Sequence, residues 1–485
     1  MDSFVNSWPS KTMFEASYPI DRLKPASYNP RRISETEFSK LRESIRALGA
    51  VKPVIVSQGT IIAGHQRTKA MRAEGLENTA VHLLGPVSVT EEIRFNQIHN
   101  GSDLDESDEL KVRVPAMDCG WQIVPAREIR VGNPLARGAV RRKEILRLLA
   151  KHGPWGGAVA LPDGRVISSA DYAACCQQLG MPLHLMVIGA ELEDVAKRYL
   201  SASYGVYSYD HLPRTTWAQA LAQMNRLNGG GNRELRSRTY EHAVLPHVTK
   251  KERILDFGAG KLAYVKRLSA AGYQIRGLEF YLQRNGKIAF GEVQRHIDRV
   301  LEDLRTHGPY DVVVCDSVLN SVDSVAAEEA VLLTLSALCR RGGKVIFSGR
   351  SLDSELTRLN NKTCVEKTHT RRQVNFLDGE RISAIYSRGV WRYQKFHGIE
   401  HIRELTERFI GKRYEIRDAE GRELKSGPIR TTGWSVVAIN ERPSSADDLE
   451  KGLRFEFNLP LPGGKRYGRS DDIVAAVPWL RGEDA

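Results

Sequence analysis

Asp256, Gly258, Gly260 and Glu279 are the residues whose types and spacing could most directly do chemistry in this chain. Ile254 and Leu255 read as a short apolar strand running into Asp256-Phe257-Gly258-Ala259-Gly260. Glycines there let the backbone turn tightly and approach a ligand where a Cβ would collide. A helix opening at about Lys261 would aim its free amides at the same place. Glu279, about 20 residues downstream, is spaced to accept hydrogen bonds from two ribose hydroxyls. The chemistry is nucleoside binding, and the spacing alone suits NAD or S-adenosylmethionine. A dinucleotide turn would carry a third glycine for close helix packing, and this chain has Tyr264 in that region.

Two further constellations stand apart from this one. Ala63-Gly64-His65-Gln66-Arg67 passes from strand to helix with an arginine in the first turn. Freed amides, a helix start and a forked guanidinium make Gly64, His65 and Arg67 a candidate nucleotide or phosphate site. Farther on, Arg388, Arg392 and Lys395 interleave with Trp391, Tyr393 and Phe396. Cations for phosphates beside rings for stacking are what a nucleic-acid site requires. The same period-two alternation also fits a strand with one buried aromatic face.

The elements that must position these residues are legible in outline. Strands are expected at Tyr310-Asp311-Val312-Val313-Val314-Cys315-Asp316 and, after a long helix, at Gly342-Gly343-Lys344-Val345-Ile346-Phe347-Ser348. Near the N-terminus, Ser34 and Glu37 form a capping-box pattern, and Phe38, Leu41, Ile45 and Leu48 follow at helical spacing until Gly49. Val54-Ile55-Val56 and Ile61-Ile62 then read as two strands around a turn at Gln58-Gly59. A degenerate repeat follows: Gly59-Thr-Ile-Ile-Ala and Gly75 are echoed by Gly164-Arg-Val-Ile-Ser and Gly180. Ser169-Ala170-Asp171-Tyr172 stands where the first copy has its Gly64 turn, and it has no arginine. Trp217, Leu221, Met224 and Leu227 suggest a helical connector, and Asn228-Gly229-Gly230-Gly231-Asn232 a linker. Past Pro443 the chain turns polar, and Pro460, Pro462, Gly463 and Gly464 predict a loosely packed tail.

Composition agrees with several folded domains. At 485 residues and 41% apolar content the chain can build more than one core. It lacks both a run of 18 apolar residues and a basic-then-apolar leader, so a cytoplasmic protein without a membrane segment is expected. The 6 cysteines show no Cys-x-x-Cys and the 13 histidines no His-Glu-x-x-His, so no metal site is expected. A formal charge of +12 favours a polyanionic partner such as DNA.

The order Asn29-Pro30-Arg31, helix, Val51-Lys-Pro-Val-Ile-Val, Ile62-Ala63-Gly64-His65-Gln66-Arg67, helix, Gly75 resembles the N-terminal domain of the ParB and sulfiredoxin superfamily. That resemblance implies nucleotide phosphates at Gly64, His65 and Arg67, with CTP or ATP as the ligand. Residues 95 to 103 depart from the partition proteins, which leaves Asn100 a weak ligand candidate. Asp256 to Gly260, Glu279 and the Gly342-Gly343-Lys344 turn before a strand resemble the class I S-adenosylmethionine-dependent methyltransferases. By that likeness Asp256, Gly258 and Gly260 would hold the amino-acid part of the cofactor and Glu279 its ribose.

A methyl acceptor would then meet the end of the fourth strand, at Asp316 and Asn320, the expected catalytic pair. The Asp-Pro-Pro-Tyr of amino-directed DNA methylases and the proline-flanked cysteine of cytosine C5 enzymes are both missing there. Val318-Leu319-Asn320 and Arg388-Gly389-Val390-Trp391-Arg392-Tyr393-Gln394-Lys395-Phe396 are similar to methyltransferases of DNA phosphorothioation systems, although the second stretch carries inserted residues. The expectation is an α/β protein. A ParB-like α+β domain (1–130) and its degenerate repeat with a helical connector (131–234) precede a Rossmann-like class I methyltransferase domain (235–442) and a polar tail (443–485). It would methylate DNA in modification or defence, alongside other proteins of such a system and as a homodimer. Two alternatives stay open: a nucleotide-gated DNA-binding protein with a non-catalytic methyltransferase domain, and a small-molecule methyltransferase.

Overall fold

A computed structural model of the chain describes residues 12–26, 31–88, 91–92, 95, 98, 110–133, 139–200, 206–209, 212–214, 236–285, 287–359, 377–387 and 390–482. Asn29, Pro30, Asn100, the connector around Trp217, the glycine linker and Arg388 lie outside the described residues. The chain divides into two units, residues 1–212 with 356–379 and residues 213–355 with 380–485.

In the first unit, β1 (Thr12–Pro19), α1 (Glu35–Leu48), β2 (Val54–Ser57), β3 (Thr60–Ala63), α2 (His65–Ala73) and β4 (Asn78–Leu84) follow in chain order. Their sheet runs β1-β4-β2-β3, with Lys24–Pro25 added beyond β3. The capping box forms: Ser34 Oγ accepts from Glu37 N, and the Glu37 carboxylate accepts from Ser34 N. Leu41 and Ile45 on the inner face of α1 pack with Val54, Val56, Ile61, Met71 and Val81.

The same wiring then recurs. β5 (Gly120–Val124), α3 (Ala139–His152), β6 (Ala158–Ala160), β7 (Val166–Ser168), α4 (Ala170–Gln178) and β8 (Leu183–Val187) make a sheet in the order β7-β6-β8-β5. In both sheets a central strand pairs antiparallel with the next strand and parallel with the one after the helix. Gly59 and Gly164 both turn at positive φ (79° and 82°), as do Gly75 and Gly180 (74° and 69°). Gly64 and Ser169 both cap their helices in the left-handed conformation. The boundary expected at residue 130 moves: β5, placed by sequence in the first domain, is the edge strand of the second sheet.

The second unit is built on a mostly parallel sheet. β9 (Arg253–Phe257), α5 (Ala263–Ala270), β10 (Gln274–Leu278), α6 (Phe290–His307), β11 (Tyr310–Cys315), α7 (Val325–Leu338) and β12 (Cys339–Ser351) alternate strand and helix. The strand order is β10-β9-β11-β12, all parallel. β13 (Ile382–Ser387) and β14 (Val390–His397) form a hairpin whose β14 joins the end of β12. After α8 (Ile399–Phe409), β15 (Tyr414–Asp418) and β16 (Gly433–Ile439) return, with β16 antiparallel along β12. The near-continuous apolar strands Val312–Val314 and Val345–Phe347 are fully buried, as parallel strands covered on both faces require.

The expected polar tail is a correction. Residues past 443 form α9 (Ala446–Glu456) and α10 (Ser470–Ala475), and Leu449, Leu453, Phe457, Tyr467 and Ile473 sit in the main core of the unit. Gly452 lets α9 lie tightly on α7, since a Cβ there would come 2.5 Å from Leu333 Cβ. The prolines and glycines that suggested looseness fall between the two helices. Among the described residues no helix is long and apolar enough to cross a membrane.

Candidate functional site

β9 delivers its chain into the glycine turn as the sequence demands. Gly258 turns at φ 78°, and a Cβ there would lie 2.3 Å from Val318 Cγ2, so the turn and the loop after β11 touch only because this residue is glycine. Gly260 N donates to Glu279 Oε2 at 2.9 Å, and Tyr281 N donates to Glu279 Oε1 at 2.9 Å. One carboxylate thus ties the turn to the end of β10. The missing third glycine has its counterpart on the neighbouring strand: a Cβ on Gly277 would lie 2.5 Å from Leu262 Cδ2 and 2.8 Å from Val265 Cγ2. Tyr264 is then free to stack on Tyr240, with ring centroids 3.9 Å apart. The helix itself opens at Ala263.

In sequence, Arg236, Arg238 and Tyr240 could line the cofactor mouth but read more readily as an ordinary solvated helix; all three line the cleft, and Tyr240 is buried. It belongs to a turn of π-helix, Tyr240–Val244, and its hydroxyl donates to Asp256 Oδ2 at 2.6 Å. Such turns of irregular helix recur at functional sites. Three residues earlier, Ser237 Oγ donates to Asp316 Oδ2 at 2.5 Å. Asp316 Oδ1 accepts from Ser317 Oγ and Ser348 Oγ, both at 3.0 Å. Asp316 is therefore held by hydroxyls from three segments, and the segment before β9 supplies one of them. The faint signal was the polar run Arg236-Ser237-Arg238-Thr239-Tyr240 immediately ahead of the first strand.

These residues share one cleft of about 520 Å³. Asp256, Gly258, Gly260 and Glu279 line one part of it, and Asp316, Asn320 and Tyr393 also line it. Asn320 is half-buried and makes a long contact from Nδ2 to Ser321 Oγ at 3.4 Å. Cys315, just below, is fully buried, and burial pushes its thiol well up, which removes it as a nucleophile.

The expected nucleic-acid strand is corrected on two of its four residues. Trp391 and Lys395 are buried, and Lys395 Nζ pairs with Glu328 at 3.0 Å while His397 Nε2 meets the same carboxylate at 2.6 Å. Residues at alternate positions of β14 face inward, the other meaning of a period-two pattern. Arg392 is half-buried on the opposite face.

In the first unit the Gly64 turn takes the expected shape, with φ 104° and a helix beginning at His65. Its side chains are engaged inward. Arg67 Nη1 donates to Lys52 O at 2.8 Å and Nη2 to Pro53 O at 3.3 Å, and burial pushes the guanidinium down to about 10. His65 Nε2 accepts from Ala26 N at 3.1 Å, so the ring is neutral, its pKa lowered by burial to about 4.

Comparison with known proteins agrees with this division. A family model described as a ParB N-terminal domain matches residues 9–100, and one described as a methyltransferase domain matches residues 206–420. The chain is 36% identical over 75 residues to the ParB-like nuclease domain-containing protein YnaK of Escherichia coli K12, covering 15% of this chain and 84% of that protein. It is 37% identical over 68 residues to a probable chromosome-partitioning protein ParB of Xylella fastidiosa, covering 13% of this chain and 22% of that one, about a fifth of its length. Among solved structures, a C-terminally truncated ParB from Caulobacter crescentus complexed with CTP-gamma-S shows 26% identity over 18% of this chain and 52% of that one, with a TM-score of 0.16. The chain belongs, through its N-terminal residues, to the ParB N-terminal-domain family, and it carries a class I methyltransferase domain in the same polypeptide.

Proposed function

We propose that the chain transfers a methyl group from S-adenosylmethionine to a base in DNA, and that its ParB-like domain binds a nucleoside triphosphate or a DNA phosphate. The cleft carries this reading: a glycine turn and an acid fit for a nucleoside open onto the same space as a half-buried asparagine and an aromatic ring. The residues fit the cofactor. Gly258 lets the glycine turn and the Val318 loop meet beside the cleft, Glu279 sets a carboxylate at that turn where ribose hydroxyls would lie, and Asp256 adds negative charge for an ammonium group. When bound, the cofactor supplies an electrophilic methyl group on a sulfonium.

Asp316, fixed by Ser237, Ser317 and Ser348, would orient the acceptor from a rigid position, and Asn320 offers an amide that can both donate and accept. Tyr393 lines the cleft as part of its wall: it is 1% exposed, with Arg214 over its ring and its hydroxyl donating to Pro213 O. DNA as the acceptor is supported by the net charge of +12 and by the company of a ParB-like domain. CTP is the favoured nucleotide for that domain, the triphosphate whose analogue is named in the Caulobacter complex. Label transfer from tritiated S-adenosylmethionine to unmethylated duplex and single-stranded DNA tests the whole reading. Transfer to neither, with cofactor bound, would favour a non-catalytic domain or a small-molecule acceptor.

A further inference from the structure

The C-terminal segment, which lies beyond the part matched to methyltransferase domains, brings a carboxyl into the cleft. Glu456, the last residue of α9, lines the cleft and is 4% exposed. Among the described residues it makes no hydrogen bond and no ion pair. A carboxylate so placed would be an unpaired buried charge, which proteins avoid unless something is meant to meet it. The groups that face it are the Asp323 carboxyl ahead of α7 and the Cys315 thiol at the end of β11. Neither is a cation. On α7, Glu328 is turned to Lys395 and His397, and Arg214 donates to the carbonyl oxygen of Asp323. The same cleft is lined by Asp256, Asp316 and Glu279.

We propose that Glu456 is the residue that accepts the proton released by the methyl acceptor, an N–H group, during transfer; this rests on the methyltransferase reading above. The acceptor nitrogen's lone pair forms the new N–C bond as the S–C bond breaks and its electron pair stays on sulfur. The proton shed by that nitrogen passes to a Glu456 oxygen. Burial, helped by Asp323, pushes the empty-cleft Glu456 up to about 8. A sulfonium entering the cleft lowers it again, because a positive charge nearby favours the carboxylate. Glu456 is thereby mostly protonated at pH 7 until the methyl donor is in place, with a basicity close to working pH.

The experiment is calorimetry on the full chain at pH 7 in two buffers of different ionisation enthalpy, with S-adenosylmethionine and with S-adenosylhomocysteine. Both ligands carry the same amino and carboxyl groups, so the difference between them reports the sulfonium. Wild type should release a larger proton fraction with the sulfonium ligand, and the excess should vanish at pH 9.5, where Glu456 is already ionised. Glu456→Gln should bind both ligands within about threefold of wild type, show no excess release, and transfer label to DNA at least a hundredfold more slowly. Equal proton release for the two ligands in wild type overturns the proposal without requiring any variant to fold. So does a Gln variant that transfers at the wild-type rate, or one that loses affinity for both ligands tenfold, which would place Glu456 on the cofactor's ring instead. Failure of wild type to bind S-adenosylmethionine at all would overturn the methyltransferase reading, and this inference with it.

Discussion

The Gly64 turn and the Gly258 turn begin from the same instruction, a strand that enters a helix through glycine, and they end in opposite states. At Gly64 the chain fills its own turn: Arg67 reaches back to the carbonyls of Lys52 and Pro53, and His65 to the amide of Ala26. At Gly258 the turn stays open, and the nearest acid, Glu279, holds backbone amides at the rim of a cleft. The second copy of the first turn shows what filling means when no arginine is present. Tyr172, in the place of Arg67, accepts from Trp155 N and Gly156 N at 2.9 and 2.8 Å, and Asp171 pairs with Arg142 at 2.8 Å. Donor and acceptor have exchanged roles, yet the same loop before the central strand is held. A glycine turn therefore marks a place where backbone comes close, and only the neighbouring side chains decide whether a ligand or the protein itself occupies it.

The largest effect expected from this contrast is in acid. The filled unit buries neutral histidines: His65 and His184 are lowered to about 4 and His82 to about 3, chiefly by burial, with His184 adding to the shift of His82. Their folded pKa values lie below the unfolded value of 6.5, so the unfolded chain binds more protons between 6.5 and 4. Stability contributed above 6.5 is lost as pH falls through that window, on the order of 3 kcal/mol for His65 alone. Glu456 in the open unit has the opposite sign: its raised pKa gives stability that is full below about 4.5 and is lost as pH rises through about 8. Hydrogen exchange resolved by peptide between pH 7 and 5 should show residues 54–84 losing protection before residues 310–351. Simultaneous loss would break the contrast.

Next in size is Gly258→Val. The turn sits at positive φ, and the new side chain would drive Val318 and its loop away, so S-adenosylmethionine affinity should fall about a hundredfold, on the order of 3 kcal/mol. Calorimetry showing less than a threefold change would mean that the cofactor does not use this turn. Glu279→Ala removes charge-assisted contacts to the ribose and should weaken the same binding by about 2 kcal/mol. Because Glu279 also holds Gly260 and Tyr281, the variant's melting temperature is needed beside its affinity to separate lost contact from a loosened turn.

Much of this was legible from sequence because it rests on local rules. The capping box at Ser34, the strands at 254 and 310, and the second strand-turn-helix copy each follow from residues adjacent in the chain. What sequence left undecided or hid depends on distant partners. Tyr240 and Ser237 matter because they meet Asp256 and Asp316, and Lys395 on strand β14 is interior because Glu328 on helix α7 awaits it. The polar run after Pro443 disguised α9, whose apolar residues are few but fall on one face against α7. Arg67 was the subtlest case: the residue type fits a phosphate, and the loop carbonyls that occupy it here come from before the strand.

Arg67→Ala gives the smallest effect and separates the two meanings of the filled turn. If the arginine were an ordinary surface residue, its loss would change stability by no more than about 0.5 kcal/mol. Held as it is by two carbonyls in a partly buried place, it should cost about 1–2 kcal/mol, a fall of several degrees in the melting of the first unit. The same guanidinium lies beside Gly64, its Nη2 3.3 Å from where a Cβ on that glycine would be, so a triphosphate at the helix start could draw it from Lys52 and Pro53. Wild type should then be stabilised by CTP and the variant should not. A variant that melts lower but responds to CTP as wild type does would make Arg67 the counterpart of Tyr172, a clamp on its own loop, and would leave the phosphates to the helix amides alone.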